Sequence, residues 1–339
     1  MARDSQANAR AANDRPGAHR KCLVMTGGTS GIGRRALERL LAESADWEVI
    51  LLARNSPRVD ALRTLPGGAD RLAIVDVDLT SLASVNRACD AVRRTLGARS
   101  IDALALNAGI QVVTGNAASA DGLELAFAVN FLAHFLIVER LRDKLRRGGR
   151  VVSTSSEVHD PEAFCLMGIG RATWQDPLVL ADPERAQAHV ASVVDRGEAR
   201  YCASKLLNLM HMRQLASELS DIGVIAFNPS VVPGTEIGRD RNWLQQLGWK
   251  YVMPALTPIL PGARLLAHSA GDLLWLLTEA DARGLSGQYV DGRTVRPGSQ
   301  ESRDPAKIAR AMEVARTLLA LKLSDAPAAR MAMTGGSRA

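Results

Sequence analysis

Near its start the chain runs Cys22-Leu23-Val24-Met25, then Thr26-Gly27-Gly28-Thr29-Ser30-Gly31-Ile32-Gly33, then an amphipathic helical pattern through Glu43. A short apolar strand, a glycine-rich turn and a helix in that order restrict the fold more than any other stretch. The turn lets backbone N–H groups and a helix N-terminus face an anion such as a phosphate. A lone glycine cluster would carry little weight, but the alternation continues. Glu48–Ala53, Leu72–Val77 and Asp102–Leu106 read as further strands, Ser84–Leu96 reads as a helix, and the fourth strand stops at Asn107-Ala108-Gly109. Strands alternating with helices predict an α/β protein with one doubly wound parallel sheet covered on both faces.

Beyond it, Leu123–Arg146 reads as one long helix with a basic end, which suits a helix C-terminus. A strand at Arg150–Thr154 leads to Ser155-Ser156. Residues 157–200, with Pro161, Gly168, Gly170, Pro177 and Pro183, read as an insertion carrying one or two short helices. A helix through Tyr201 to about Asp221 and a strand at Val224–Phe227, ending at Asn228-Pro229, follow. The irregular, proline-rich segment 233–262 reads as a lid over the strand ends. Ala263–Thr278 is expected to be a helix, Gly287–Val290 a last short strand, and Pro305–Lys322 a terminal helix. No repeat or sharp linker divides residues 21–322, so one domain is expected, with disordered tails at 1–20 and 323–339.

The formal net charge of +6 is concentrated at the ends. The first 21 residues carry an excess of three positive charges and the last 17 an excess of one, leaving about two for the body. That is no nucleic-acid footprint. The four cysteines, Cys22, Cys89, Cys165 and Cys202, lack metal-ligand spacing, and buried thiols of a reducing compartment fit them best. No metal is expected. The N-terminus has no apolar core of a secretory signal, and no apolar run reaches the roughly 18 residues of a membrane span. A cytoplasmic, soluble protein is the expectation.

Tyr201 and Lys205, four residues apart in a helical pattern, share a face. A phenol with an ordinary pKa of ~10 works as an acid/base near neutrality only if its anion is favoured by about 4 kcal/mol, and a cation one turn away is the nearest local source.

Together, TGGTSGIG at 26–33, NAG at 107–109, Asn130, Ser156 and Tyr201-x-x-x-Lys205 resemble, in this order, the short-chain dehydrogenase/reductase family across roughly residues 21–292. The resemblance implies a Rossmann fold and assigns roles by position. Gly27, Thr29, Ser30, Gly31, Ile32 and Gly33 would wrap the cofactor pyrophosphate. Asp78 and Leu79 would meet the adenine region, Asn107, Ala108 and Gly109 would support that side, and Pro229 would touch the cofactor. Tyr201 would be the acid/base, Ser156 would bond the substrate oxygen, Lys205 would bind the nicotinamide ribose, and Asn130 would hold a relay water. Ser155 is expected to be an ordinary strand-end hydroxyl and His134 a core histidine.

An NAD site usually places an acid where Ala53 stands. Arg54 instead offers a guanidinium suited to a 2′-phosphate, with Arg34 a possible helper, so NADP(H) is the expected cofactor. Segments at 53–55, 201–208 and 286–292 resemble the branch containing retinol dehydrogenases and protochlorophyllide reductases, although Leu207 stands where the latter carry a cysteine. Leu106 and Pro229-Ser230 also depart from the family's usual Asn and Pro-Gly. Trp174 with Trp243, Leu244, Leu247, Trp249, Tyr251, Val252 and Met253 could wall an apolar pocket for a bulky ketone or aldehyde. The rival readings are a light-dependent C=C reductase and a non-catalytic NADP(H)-binding scaffold. Monomer and homodimer both remain open.

Overall fold

The computed structural model describes residues 20–162, 173–234, 253–257, 260 and 262–324. Residues 1–19 and 325–339 of the expected tails, Cys165 and the lid residues from Trp243 to Val252 lie outside these, while the terminal helix runs on through Leu323 and Ser324, which were expected in the tail. Among the described residues, eight strands form one sheet, β1 Lys21–Thr26, β2 Trp47–Ala53, β3 Leu72–Asp76, β4 Ile101–Leu106, β5 Leu145–Thr154, β6 Gly223–Asn228, β7 Tyr289–Asp291 and β8 Thr294–Arg296. Their order is β3-β2-β1-β4-β5-β6-β7-β8, with every pair parallel except β7 and β8. The sheet is therefore doubly wound, as the alternation predicts. Its order reverses between β1 and β4, and such a switch point opens a crevice at the carboxyl ends of the strands.

Among the described residues the longer helices are α1 Gly31–Glu43, α2 Leu82–Leu96, α3 Ala133–Leu141, α4 Val193–Glu218, α5 Leu266–Thr278 and α6 Pro305–Ser324. One face of the sheet packs on α1 and α5 through Leu37, Leu41, Leu51, Phe227 and Leu273. The other packs on α2, α3 and α4 through Val85, Phe131, Phe135, Leu206 and Met210. Central strands with both faces covered must be apolar throughout, and β4 and β6 are buried along essentially their whole length. On the outer side of α4 lies α6, whose Arg310 reaches Asp176 at 2.8 Å ahead of the short helix Pro177–Leu180. The 157–200 stretch thus holds the short helix expected there, and α4 begins within it, at Val193.

Three stretches differ from the sequence reading. The segment expected to be one helix to Arg146 is π-helical over Phe127–Leu132, continues as α3, and stops at Leu141 before a 3₁₀ turn. Part of its basic end does sit at the helix C-terminus, with Arg140 in the last turn of α3 and Arg142 at the C-cap. Arg146 and Arg147 open β5 instead, pairing at 2.9 Å with Asp102 and Asp221. β8 went unread because all three of its residues are exposed, leaving no apolar alternation to detect. The residues flanking the expected lid, Val231 and Ala263, meet at a parallel bridge.

Candidate functional site

At the end of β1 the chain turns with Gly27 at φ +71° and Gly31 at φ +55°, a region that favours glycine. A Cβ on Gly27 would stand 2.6 Å from the Ala108 nitrogen, and one on Gly33 would stand 2.2 Å from the Gly27 oxygen. The turn and Asn107-Ala108-Gly109 are thus packed backbone against backbone. Asn107 Nδ2 donates to the Gly27 carbonyl at 3.0 Å, and Thr154 Oγ1 donates to Asn107 Oδ1 at 3.0 Å. The α1 N-cap, Ser30, makes no side-chain capping bond and the first turn holds no acid. The first amides of α1 therefore keep their pull on an external anion. Thr29, Ser30, Gly31 and Ile32 lie partly exposed along this turn.

On the β2–β3 side, Arg54 is exposed just past Ala53, and the Asn55 amide donates to Asp76 Oδ1 at 2.9 Å. Asp78 shapes its own loop, its Oδ1 accepting from the Thr80 amide at 3.0 Å and hydroxyl at 2.9 Å, while Leu79 packs against the core. Arg34 is engaged with Glu38 at 2.8 Å.

Lys205 is 2% exposed, and its Nζ donates to the Thr154 carbonyl at 2.9 Å. The ammonium stands 5.5 Å from the centroid of the Tyr201 ring, and a Cβ on Gly109 would come within 3.3 Å of it. Burial pulls the Lys205 pKa down to about 8. Behind it Asn130, fully buried, clamps Ile110, accepting from its amide at 2.8 Å and donating to its carbonyl at 2.9 Å. The same Nδ2 donates to Ser204 Oγ at 2.9 Å, and Ser204 Oγ donates to the Tyr201 carbonyl at 2.7 Å. Tyr201, Lys205, Asn130 and the NAG loop therefore form one connected cluster beside the switch point.

The two serines after β5 are separated by their bonds. Ser155 is buried, its hydroxyl donating to the Lys205 carbonyl at 3.0 Å and its amide to the Phe227 carbonyl at 2.8 Å. Ser156 is half-buried, with its Oγ only 3.5 Å from the Val158 amide. The Ser156 carbonyl takes the Nδ1 proton of His159 at 2.6 Å, while His159 Nε2 accepts from the Ser299 amide at 3.1 Å.

Residues that the sequence reading passed over sit close by. Asn228, at the end of β6, accepts from the amides of Glu157 and Ser230 at 3.3 and 3.0 Å and donates to Asp291 at 3.2 Å. Burial pushes the Glu157 carboxyl up to about 7. Ser230 adopts φ +62°, a left-handed conformation, and its hydroxyl donates to Asp291 at 2.9 Å. The Ser that replaces the usual Gly is therefore held there by a side-chain bond. Pro229 is buried, its carbonyl accepting from Ser269 Oγ at 2.8 Å. Trp174 packs against the core beside α6, with Lys307 Nζ 5.6 Å from its ring, so its indole serves packing. Among the described residues, no cluster of His, Cys, Asp and Glu could hold a metal ion, and no helix is long and apolar enough to cross a membrane.

The family described as short chain dehydrogenase matches residues 21–165. The chloroplastic short-chain dehydrogenase TIC 32 B of Brassica napus is 30% identical, over 78% of this chain and 78% of its own. A Streptomyces sp. protein provisionally named a daunorubicin C-13 ketoreductase is 28% identical, over 86% of this chain and 90% of its own. Among solved structures, the NADPH-bound carbonyl reductase from chicken fatty liver aligns with a TM-score of 0.57 at 18% identity, covering 82% of this chain and 99% of that one, a likeness of fold. Relatedness that spans more than three quarters of both chains, on a sheet whose switch point gathers a glycine turn and a tyrosine–lysine helix, makes this protein a member of the short-chain dehydrogenase/reductase family of oxidoreductases.

Proposed function

We propose that the protein moves hydride between NADPH and the carbonyl of a bulky, largely apolar small molecule, with Tyr201 as proton donor in the direction of reduction. The observation that carries this reading is the buried Lys205 ammonium, anchored on the Thr154 carbonyl and set beside the Tyr201 ring. A cation there favours the tyrosinate and so eases proton loss.

A dinucleotide fits the residues present. The glycine turn leads into the uncapped start of α1, where a pyrophosphate is favoured, and Gly109 has no side chain to stand against the Lys205 ammonium. When bound, the nicotinamide supplies the hydride. The side chains then have separable tasks. The Ser156 hydroxyl, whose only described bond is long, stabilises negative charge growing on the substrate oxygen. Tyr201 delivers the proton to that oxygen, Lys205 holds the ribose and favours the phenolate, and Asn130 steadies the relay side. Arg54, exposed at the end of β2 with no acid at Ala53, suits a 2′-phosphate and supports NADPH over NADH. Asp78, Leu79, Asn107, Ala108 and Pro229 would complete the cofactor's surroundings. The names of the ketoreductase and carbonyl reductase relatives favour a ketone substrate. The buried cysteines Cys22, Cys89 and Cys202, none of them in a disulfide, suit a reducing compartment.

A panel of aromatic and polycyclic ketones, followed by NADPH and NADH consumption, tests the proposal. Wild type is expected to turn over at least one ketone faster with NADPH. Tyr201→Phe is expected to lose about 10²- to 10⁴-fold in kcat with NADPH affinity kept, the usual contribution of a general acid. Near-normal turnover by Tyr201→Phe would remove the assignment.

A further inference from the structure

His134, on the first turn of α3, is 1% exposed and bonds at both ring nitrogens. Nδ1 lies 3.1 Å from the Asn130 carbonyl oxygen, and Nε2 lies 3.0 Å from Thr26 Oγ1. A carbonyl can only accept, so Nδ1 carries the proton. In a neutral ring Nε2 is then bare and must accept the one proton of the Thr26 hydroxyl. That proton has a poorer alternative in the Ala105 carbonyl at 3.5 Å. With its proton spent on His134, Thr26 Oγ1 turns its lone pairs to the amides of Asn107 and Ala108, each 3.1 Å away. Every donor and acceptor along this line is settled, from the NAG loop through Thr26 and His134 to Asn130.

A neutral ring is what its surroundings favour. Full burial, and next the Lys205 cation, hold the His134 pKa down to about 3. The other histidine in the same helix interface, His211, packs its ring 4.8 Å from that of Phe135 and is likewise held neutral, with the Arg316 and Arg142 cations beside it. His134 differs in what it joins. One of its bonds ends on the backbone of Asn130 and the other on the hydroxyl that orders the turn-facing NAG loop. An apolar side chain would fill the same space and join neither.

We propose that His134 is a positioning residue which, as the neutral Nδ1–H tautomer, ties Asn130 to the dinucleotide-facing turn at Thr26, Asn107 and Ala108, so that seating the cofactor and seating Asn130 are linked. This rests on the functional reading above for the roles of Asn130 and of the turn. It requires that the two arms be separable. Asn in place of His keeps an amide donor near the Nδ1 position, and Gln keeps an acceptor near the Nε2 position.

The test uses full-length protein with ¹⁵N-labelled histidine, NADPH titrated by fluorescence, and kcat on a ketone that the wild type reduces. Long-range ¹H–¹⁵N spectra are expected to show His134 as the Nδ1–H tautomer, unchanged from pH 8 to pH 5. His134→Asn is expected to keep kcat but bind NADPH about tenfold more weakly, the effect of one buried hydrogen bond. His134→Gln is expected to show the opposite split, and His134→Leu to lose both. An Nε2–H or protonated ring, or Asn and Gln variants whose NADPH Kd and kcat match wild type or fall together with melting temperature, would overturn the proposal and leave His134 a packing residue. If no ketone is reduced, the functional reading fails on its own, while the tautomer and the NADPH Kd of the Asn and Gln variants still decide the link between His134 and the turn.

Discussion

At Lys205 burial opposes the proposed role. Its ammonium is 2% exposed and its described hydrogen bond goes to the Thr154 carbonyl, while burial lowers its pKa to about 8. Between that value and the ordinary one of 10.5 the unfolded chain binds a proton that the folded protein has released, so the stability of the cofactor-free protein is expected to rise with pH across this window. Below pH 8 both states hold the proton and the full penalty of burying the charge remains. Lys205→Met is therefore expected to abolish turnover yet stabilise the cofactor-free protein at pH 7 by about 1–2 kcal/mol, after allowing for the bond lost at Thr154. Thermal melts at pH 7 and pH 10 check this, and the gain should shrink at the higher pH. Ser230 offers a second residue-scale test. Its left-handed φ of +62° is tolerated with the hydroxyl on Asp291. Ser230→Gly should change stability by less than about 1 kcal/mol, because relief of strain offsets the lost bond. Ser230→Val should lose about 2–3 kcal/mol in urea unfolding, because a β-branched residue resists that conformation and cannot bond Asp291.

At the scale of elements, the site depends on how closely two loops approach. The turn after β1 and the NAG loop after β4 lie side by side because β1 and β4 pair in parallel register, Thr26 opposite Leu106. A methyl group on Gly33 would stand 2.2 Å from the Gly27 carbonyl and 2.4 Å from Asn107 Nδ2, both within the contact surface of the two loops. Gly33→Ala is expected to push α1 away from the NAG loop, weakening NADPH binding by more than about tenfold and lowering stability by about 1–3 kcal/mol, the usual cost of overpacking. Gly115→Ala is the control, since a Cβ there meets nothing within 4 Å, although its φ of +73° adds a smaller strain. Fluorescence titration and calorimetry on both variants separate a local steric effect from a general one. The π-helical turn over Phe127–Leu132 is also an element-scale device. Its wider winding accompanies an Asn130 side chain turned across to Ile110 and Ser204, and π turns often mark functional positions.

For the whole molecule, α6 closes the outer side of α4 and ties down the stretch that precedes it. Arg310 grips Asp176 through Nε at 2.8 Å and Nη2 at 3.4 Å, and Arg316 reaches Glu218 at 3.3 Å. These side chains are two-fifths to one-half exposed on the α6 partners, so solvent screens them. A double-mutant cycle of Asp176→Ala with Arg310→Ala is expected to give a coupling too small to resolve from zero in urea unfolding. A clearly resolved coupling would mean that the pair is shielded more than its exposure implies. The apolar contacts of Met312 and Leu319 carry the larger share of the attachment, since burial of each such side chain is worth about 1.5–3 kcal/mol.

How much of this was legible beforehand depended on whether the signal was local. The alternation of apolar strands with amphipathic helices, the glycine turn, and the order of Asn130, Ser156, Tyr201 and Lys205 are patterns of adjacent or regularly spaced residues. The local patterns specified the sheet and its parallel sense, because strand period, helix period and chain direction leave few other packings, while the grouping of Asn130, Tyr201 and Lys205 at one site was implied by the resemblance to the family. The partner of the Lys205 ammonium and the bond of His134 to Thr26 depended on contacts between residues tens of positions apart. Thr26 and His134 are separated by 108 residues. No periodicity encodes such a pair, and an apolar helix face made His134 read as packing alone. Only the crossing of α3 over the end of β1 brought its ring between Asn130 and Thr26, where a buried polar group must find partners and did.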